Sequence, residues 1–240
     1  MVGASVSAGF TASEPLGGPT TCQFDLCRYL EAALLVSHEP VQNLATPLFF
    51  MQPETTGRYQ LAEALKAKAT SIIGGDFLFW CCYGEGATDK ERLERFENGL
   101  KMLEAVRCPL VLGDIPDASA ADKEMLRPDQ IPTPSALAAA NLRLKQWAAA
   151  RENVTIVPLA QFMHLALNNK AVSVHGYSLA DGKTRALLQP DKLHPSRKGC
   201  ALLALTILDA FGTKLQAGTA NEVCWDPEKV LRTAGLATDR

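Results

Sequence analysis

The sequence has no excess of basic residues: 24 Lys and Arg stand against 26 Asp and Glu, a formal charge of -2 with a pI near 6.1. Without a positive field nothing would hold a phosphate backbone or an anionic bilayer, so nucleic acid is not an expected partner. Long apolar runs are also missing. None approaches the roughly 20 residues of a membrane span, and stable membrane insertion is not expected. The opening Met1-Val2-Gly3 lacks a charged region followed by an apolar one, so no signal peptide is visible. A disulfide framework is absent too. The seven cysteines (22, 27, 81, 82, 108, 200 and 224) are odd in number and irregularly spaced, which leans towards a reducing compartment. Zinc hydrolysis would need H-E-x-x-H, and the Cys22/Cys27 pair has no histidine nearby in sequence. Gly3 and Gly9 do not supply G-x-G-x-x-G. Neither a metal nor a cofactor is expected.

No Pro/Gly/Ser-rich tract divides the 240 residues, which are 47% hydrophobic and sufficient for one sizeable core. The expectation is one domain over 1–211, with 212–240 a C-terminal extension packed on it. Helical apolar periodicity runs through Phe24, Cys27, Leu30 and Leu34, and through Leu61, Leu65 and Ala69. It returns at Leu93, Phe96, Leu100, Leu103 and Val106, and at Leu137, Leu144 and Trp147 behind a Pro134-Ser135 start. A last long helix carries Leu202, Leu205, Ile207, Leu208 and Phe211. Arg58, after Thr55-Thr56-Gly57, reads as a helix start. Between the helices, 41–44, 71–80, 109–113 and 154–157 have strand character. The alternation predicts an α/β fold with a central parallel sheet and helices on both faces, a three-layer α/β/α sandwich. Ligands in such sheets bind beyond the carboxyl ends of the strands, where Ser5, the 80–84 stretch and the Gly113-Asp114 step would fall. The strand before Ser5 is reduced to Met1 and Val2. Four to eight apolar residues are usual, so the reading expects upstream residues to be missing, or a native stub, and leaves the compartment open.

Two short strings carry the chemistry. Gly3-Ala4-Ser5-Val6-Ser7-Ala8-Gly9-Phe10 presents a serine among small residues at a strand end. Asp191-Lys192-Leu193-His194-Pro195-Ser196 presents a carboxylate and an imidazole three positions apart, ahead of an apolar helix. A serine hydroxyl becomes a nucleophile when a base takes its proton and an acid orients that base. Each residue has a plainer reading: Ser5 as a helix cap, His194 as a surface residue beside the helix-starting Pro195, Asp191 as a turn residue after Pro190.

Taken together, the strings resemble the SGNH hydrolases, also called GDSL-type esterases and lipases. The first block of that family, G-D-S-x-S-x-G, stands here as Gly3 to Gly9, and its last, D-x-x-H-P, as Asp191, His194 and Pro195. The resemblance covers 1–211 and implies a flavodoxin-like fold, ester hydrolysis through an acyl-enzyme, and a small ester as substrate. It implies Ser5 as nucleophile, His194 as base and Asp191 as its orienter. The middle blocks depart from the pattern. Val41-Gln42-Asn43-Leu44 keeps the second block's strand and asparagine without its glycine, and 74–80 replaces G-x-N-D with no asparagine. The oxyanion donors are therefore expected from backbone N–H groups, that of Ser5 and one around Ala45 or Leu48. The other possibility is a catalytically silent protein of this fold that binds an acyl or carbohydrate ligand. Ala4, where the family has aspartate, is expected to loosen the serine loop. Asp76, in an apolar run, is read as structural, bonding loop amides or facing a helix end. Cys81 and Cys82 are read as small buried hydrophobes before reactive thiols. Phe49, Phe50, Phe79, Trp80 and Tyr83 are read as core before acyl pocket.

Overall fold

Small residues around Ser5 allow the chain to turn sharply, and its first regular element is one helical turn. In the computed structural model, which describes residues 1–84, 88–212 and 222–235, this is α1 (Ser5–Ala8), stopped by Gly9 at φ 86. Helix α2 (Leu26–Ala33) follows, its first turn capped by Asp25, whose carboxylate accepts the Cys27 N–H. Helix α3 (Pro53–Lys66) opens on a proline, whose missing N–H costs nothing at a helix start. Arg58 therefore lies inside a helix that Pro53 begins, which corrects the expected start.

Strand β1 (Ile72–Gly74) leads into the short helix α4 (Phe79–Cys82). The capping box of Thr88 and Glu91 starts α5 (Asp89–Met102), and β2 (Leu110–Gly113) follows. Helix α6 (Pro134–Ala149) is capped by Thr133; β3 (Val154–Val157) and α7 (Leu159–Leu167) come next. A hairpin of β4 (Val172–Val174) and β5 (Tyr177–Leu179) turns through His175 and Gly176, at φ 43 and 84. Helix α8 (Arg197–Gly212) and the Asp226-capped α9 (Pro227–Thr233) complete the order.

Strands β1, β2 and β3 pair in parallel in that order, with Ile72 opposite Leu110 and Leu110 opposite Val154. Side chains alternate across a strand, so β2 feeds two hydrophobic cores. Leu110 and Leu112 join Leu61 of α3, Phe96 and Leu100 of α5, and Leu144 and Trp147 of α6. Val111 joins Leu30 of α2, Phe162 of α7, Leu202 and Leu205 of α8, and Val230 of α9. The result is an α/β protein whose three-stranded parallel sheet is packed by helices. The described part of the expected extension, 222–235, adds Val230 and Leu231 to the second core; 213–221 and 236–240 lie outside the described residues. No helix among the described residues is long and apolar enough to cross a membrane.

Two expected strands differ. The 71–80 run is a strand only over β1; the Phe77 N–H then bonds the Gly74 carbonyl and the chain turns into α4. Phe77, Leu78, Phe79 and Trp80 are all buried in one core, so their apolar run records burial on every side instead of strand alternation. Residues 41–44 form no assigned strand, although the Leu44 N–H bonds the Met1 carbonyl. The short start is nevertheless paired on both sides. The Val2 N–H bonds Ile73 O at 2.9 Å, and Gly3 O accepts the Thr46 N–H at 3.1 Å. This pairing carries Ser5 to the rim beyond the carboxyl end of β1.

Candidate active site

Ser5 opens α1, and the N-terminus of any helix leaves amide donors without partners. Ala4, at the cap position, has no side chain to accept them. Asp76 does so from across the fold. Its Oδ1 accepts the Ala4 N–H at 3.0 Å and the Ser7 hydroxyl at 2.6 Å, and its Oδ2 accepts the N–H groups of Val6 at 2.8 Å and Ser7 at 3.2 Å. The turn after β1 places this carboxylate beneath the serine loop, at 7% exposure. Four donors compensate the cost of burying it. The loop that Ala4 was expected to loosen is thus held by a carboxylate 70 residues away.

Gln60 on α3 holds the residue before. Its Oε1 accepts the Gly3 N–H at 2.8 Å, and its Nε2 donates to the Gly3 carbonyl at 3.0 Å. Gly3 adopts φ +140, and a Cβ there would overlap Asp76 Oδ1. Only glycine fits this approach. Asn43 braces the other end: its Nδ2 donates to Ser7 O at 3.3 Å and to Asp25 Oδ1 at 2.8 Å.

The second string arrives from between β5 and α8. The Asp191 Oδ1 accepts the N–H groups of Leu193 and His194, each at 3.0 Å, which closes a tight turn over Lys192 at φ 61. This leaves Asp191 Oδ2 for His194 Nδ1 at 2.8 Å, and the opposite ring nitrogen, Nε2, lies 2.9 Å from Ser5 Oγ. Sequence positions 5, 191 and 194 therefore meet in one hydrogen-bonded chain of hydroxyl, imidazole and carboxylate. Phe10 stacks on the imidazole, with ring centroids 4.1 Å apart. Gln189 ties the two strings together, donating from Nε2 to the carbonyls of Phe10 at 2.7 Å and Pro195 at 2.9 Å. His194 is 4% exposed. Burial works to raise the Asp191 pKa, but the His194 bond and charge and the two turn amides outweigh it and hold the carboxyl below its ordinary value. At neutral pH the imidazole faces an ionised acid.

The expected oxyanion donors divide. The Ala45 N–H bonds Asn43 Oδ1 at 3.0 Å, and the Leu48 N–H bonds Thr46 Oγ1 at 3.3 Å, so each is already engaged in a local turn. Of the four amides over 4–7, three go to Asp76, and that of Ser5 alone has no acceptor among the described residues. Four of the five aromatic candidates are core: Phe49, Phe79, Trp80 and Tyr83 are buried, while Phe50 is 47% exposed above Trp80. Burial pushes the Cys81 and Cys82 thiols up to about 12, which keeps them protonated and inert at neutral pH. Among the described residues no three His, Cys, Asp or Glu side chains gather as a metal site would require.

Gln60, Phe10 and Gln189 were not singled out from the sequence. Gln60 carried a usable signal, since it shares the buried face of α3 with Gly57, Leu61 and Ala64 and is 1% exposed. A polar residue on an apolar stripe needs a partner. Phe10 and Gln189 carried no comparable signal. Comparison of the chain with protein-family models and with curated proteins found no match.

Proposed function

We propose that the protein is a serine-dependent carboxylic ester hydrolase of the SGNH type, built on the flavodoxin-like three-layer fold of that family. The observation that carries the reading is the unbroken chain from Ser5 Oγ through His194 to Asp191, with contacts of 2.9 and 2.8 Å. Asp191 keeps the ring proton on Nδ1, which leaves Nε2 as the base for the Ser5 hydroxyl. Ser5 attacks the ester carbonyl, His194 passes the proton to the departing alcohol, and water then releases the acid by the same relay. The Ser5 N–H is the donor available to the developing oxyanion.

The engagement of the Ala45 and Leu48 amides favours a second reading, in which the same fold binds an acyl or carbohydrate ligand without turning it over. A missing oxyanion donor typically costs on the order of 10²–10³ in rate. Labelling with a fluorophosphonate, followed by mapping of the modified peptide, separates the two. The hydrolase reading expects label on Ser5 that disappears in His194→Ala. A folded protein that takes no label is a binder.

A further inference from the structure

Beyond the ends of β2 and β3, on the same rim of the sheet as Ser5, a cavity of about 470 Å³ opens. Its volume falls within the usual range of small-ligand sites. Its walls come from three places: Asp117 and Ser119 in the loop after β2, His164 and Asn168 at the end of α7, and Arg185 and Lys192 from the segments before and within the Asp191 turn. The polar groups are mostly donors, and the charge is predominantly positive. Neither the Arg185 guanidinium nor the Lys192 ammonium has a carboxylate partner among the described residues. The one acidic group, Asp117, already accepts the Ser119 N–H on Oδ1 at 2.9 Å.

Both cationic residues are fixed at the backbone, and Lys192 is exposed. The Arg185 N–H bonds Asn169 Oδ1 at 3.0 Å, next to the fully buried Thr184, so the residue is fixed at its backbone and half-buried. Lys192 occupies the left-handed region at φ 61, which lysine rarely adopts, because the Asp191 turn closes over it. The turn thus aims His194, backed by Asp191, at Ser5, while Lys192, one of the two residues between them, lines the cavity. His164 Nδ1 lies 3.4 Å from the Asn168 amide nitrogen, a contact that puts the neutral ring's proton on Nε2 as a further donor.

We propose that this cavity binds a small oxyanion, a phosphate or carboxylate group, between Arg185 and Lys192, with Ser119 and His164 completing the donor set. A guanidinium and an ammonium facing a shared space match such a group in charge and hydrogen bonding. The group can belong to a free anion or to the acidic end of an ester held at Ser5. Only the second source rests on the hydrolase reading.

The test titrates the full chain with sodium phosphate against sodium chloride at matched ionic strength, followed by backbone amide shifts in NMR. Saturable shifts are expected at Ser119, Asn168, Arg185 and Lys192. They should weaken about tenfold or more in Arg185→Gln combined with Lys192→Asn, where asparagine tolerates the left-handed turn. Amide dispersion reports that the variant is folded. Shifts that do not saturate, or that are equal in the variant, overturn the proposal. A kinetic arm identifies the source, comparing 4-nitrophenyl butyrate with mono-(4-nitrophenyl) succinate. A charged-over-neutral preference in kcat/KM that the variant loses assigns the cavity to the substrate's acidic end. Phosphate binding lost without any change in that preference assigns it to a free anion. If neither ester turns over, the hydrolase reading fails while the phosphate titration still decides the cavity.

Discussion

Asp76 lies beneath Ser5 and accepts every amide over 4–7 except that of Ser5 itself. The carboxylate does the work of a helix cap from a distant segment, and it leaves one donor beside the serine hydroxyl. The loop geometry is set by what Asp76 accepts as much as by the loop's own residues.

Replacing this carboxylate tests that arrangement. Asp76→Asn retains one acceptor oxygen but turns an NH₂ towards amides that also donate. At least one buried donor loses its partner, at about 1–3 kcal/mol of stability. Chemical denaturation should register that loss. Ester turnover should fall with it, because the Ser5 N–H moves with the turn. A variant as stable and as active as wild type would remove Asp76 from this role.

Gly3→Ala places a Cβ against Asp76 Oδ1 at a φ of +140 that alanine adopts only with strain. A conformation of this kind costs about 1–3 kcal/mol before the overlap is counted. The melting temperature should drop, and fluorophosphonate labelling of Ser5 should fall in the fraction that remains folded.

Asp191→Asn separates the turn from the relay. The amide oxygen can still accept the Leu193 and His194 N–H groups, so the fold should persist. The amide NH₂ then faces His194 Nδ1 and moves the ring proton to Nε2, where it blocks proton transfer from Ser5. A loss of roughly 10⁴ in kcat is the scale of a wrong tautomer. Steady-state kinetics beside an unchanged circular dichroism spectrum checks this outcome.

Asn43→Ala removes a brace whose amide nitrogen is committed to Ser7 O and Asp25 and whose oxygen is committed to Ala45. Turnover should fall by about tenfold or less, since Asn43 holds the loop without facing the oxyanion. A hundredfold loss with the fold intact would make Asn43 a direct donor and refute this assignment.

Asp114, at the tip of β2, supplies a pH test of stability. Burial raises its pKa above the ordinary value, against the Ala160 N–H bond and the Lys145 charge. Because the folded pKa lies above the unfolded one, stability falls as pH rises from the unfolded value through the raised folded value, and stays lower above it. Asp114→Asn keeps an acceptor for the Ala160 N–H and removes the charge. The variant should therefore melt higher than wild type at about pH 7, with the difference shrinking towards about pH 3. An unchanged difference across that range would mean that burial of the charge is not what raises the pKa.

The parts of the fold that could be read from the sequence were those governed by local rules. The Pro134 start of α6, the apolar spacing of α5 and the β2 and β3 segments are set by capping, periodicity and strand propensity within a few residues. The 71–80 run was misread because complete burial erases the alternation that marks a strand. Helix α7, the hairpin and α9 were not anticipated, being short elements whose identity depends on the core they cover.

The same division runs through the site. The sequence by itself determined which groups are present: a serine among small residues, and an acid and a base three positions apart in a turn that could face both one way. It carried no information on distance between residues 5 and 194. Their 2.9 Å contact depends on the sheet, which carries Ser5 to its rim, and on α8, whose packing sets the height of the loop before it. The sequence offered Asp76 as a structural acceptor of loop amides, which the Ala4, Val6 and Ser7 bonds bear out, but it did not show that Gln60 clamps Gly3 or that the Ala45 and Leu48 amides are engaged elsewhere. Hydrogen-bond partners distant in sequence are chosen by packing, and packing is decided only when the whole chain has closed around its two cores.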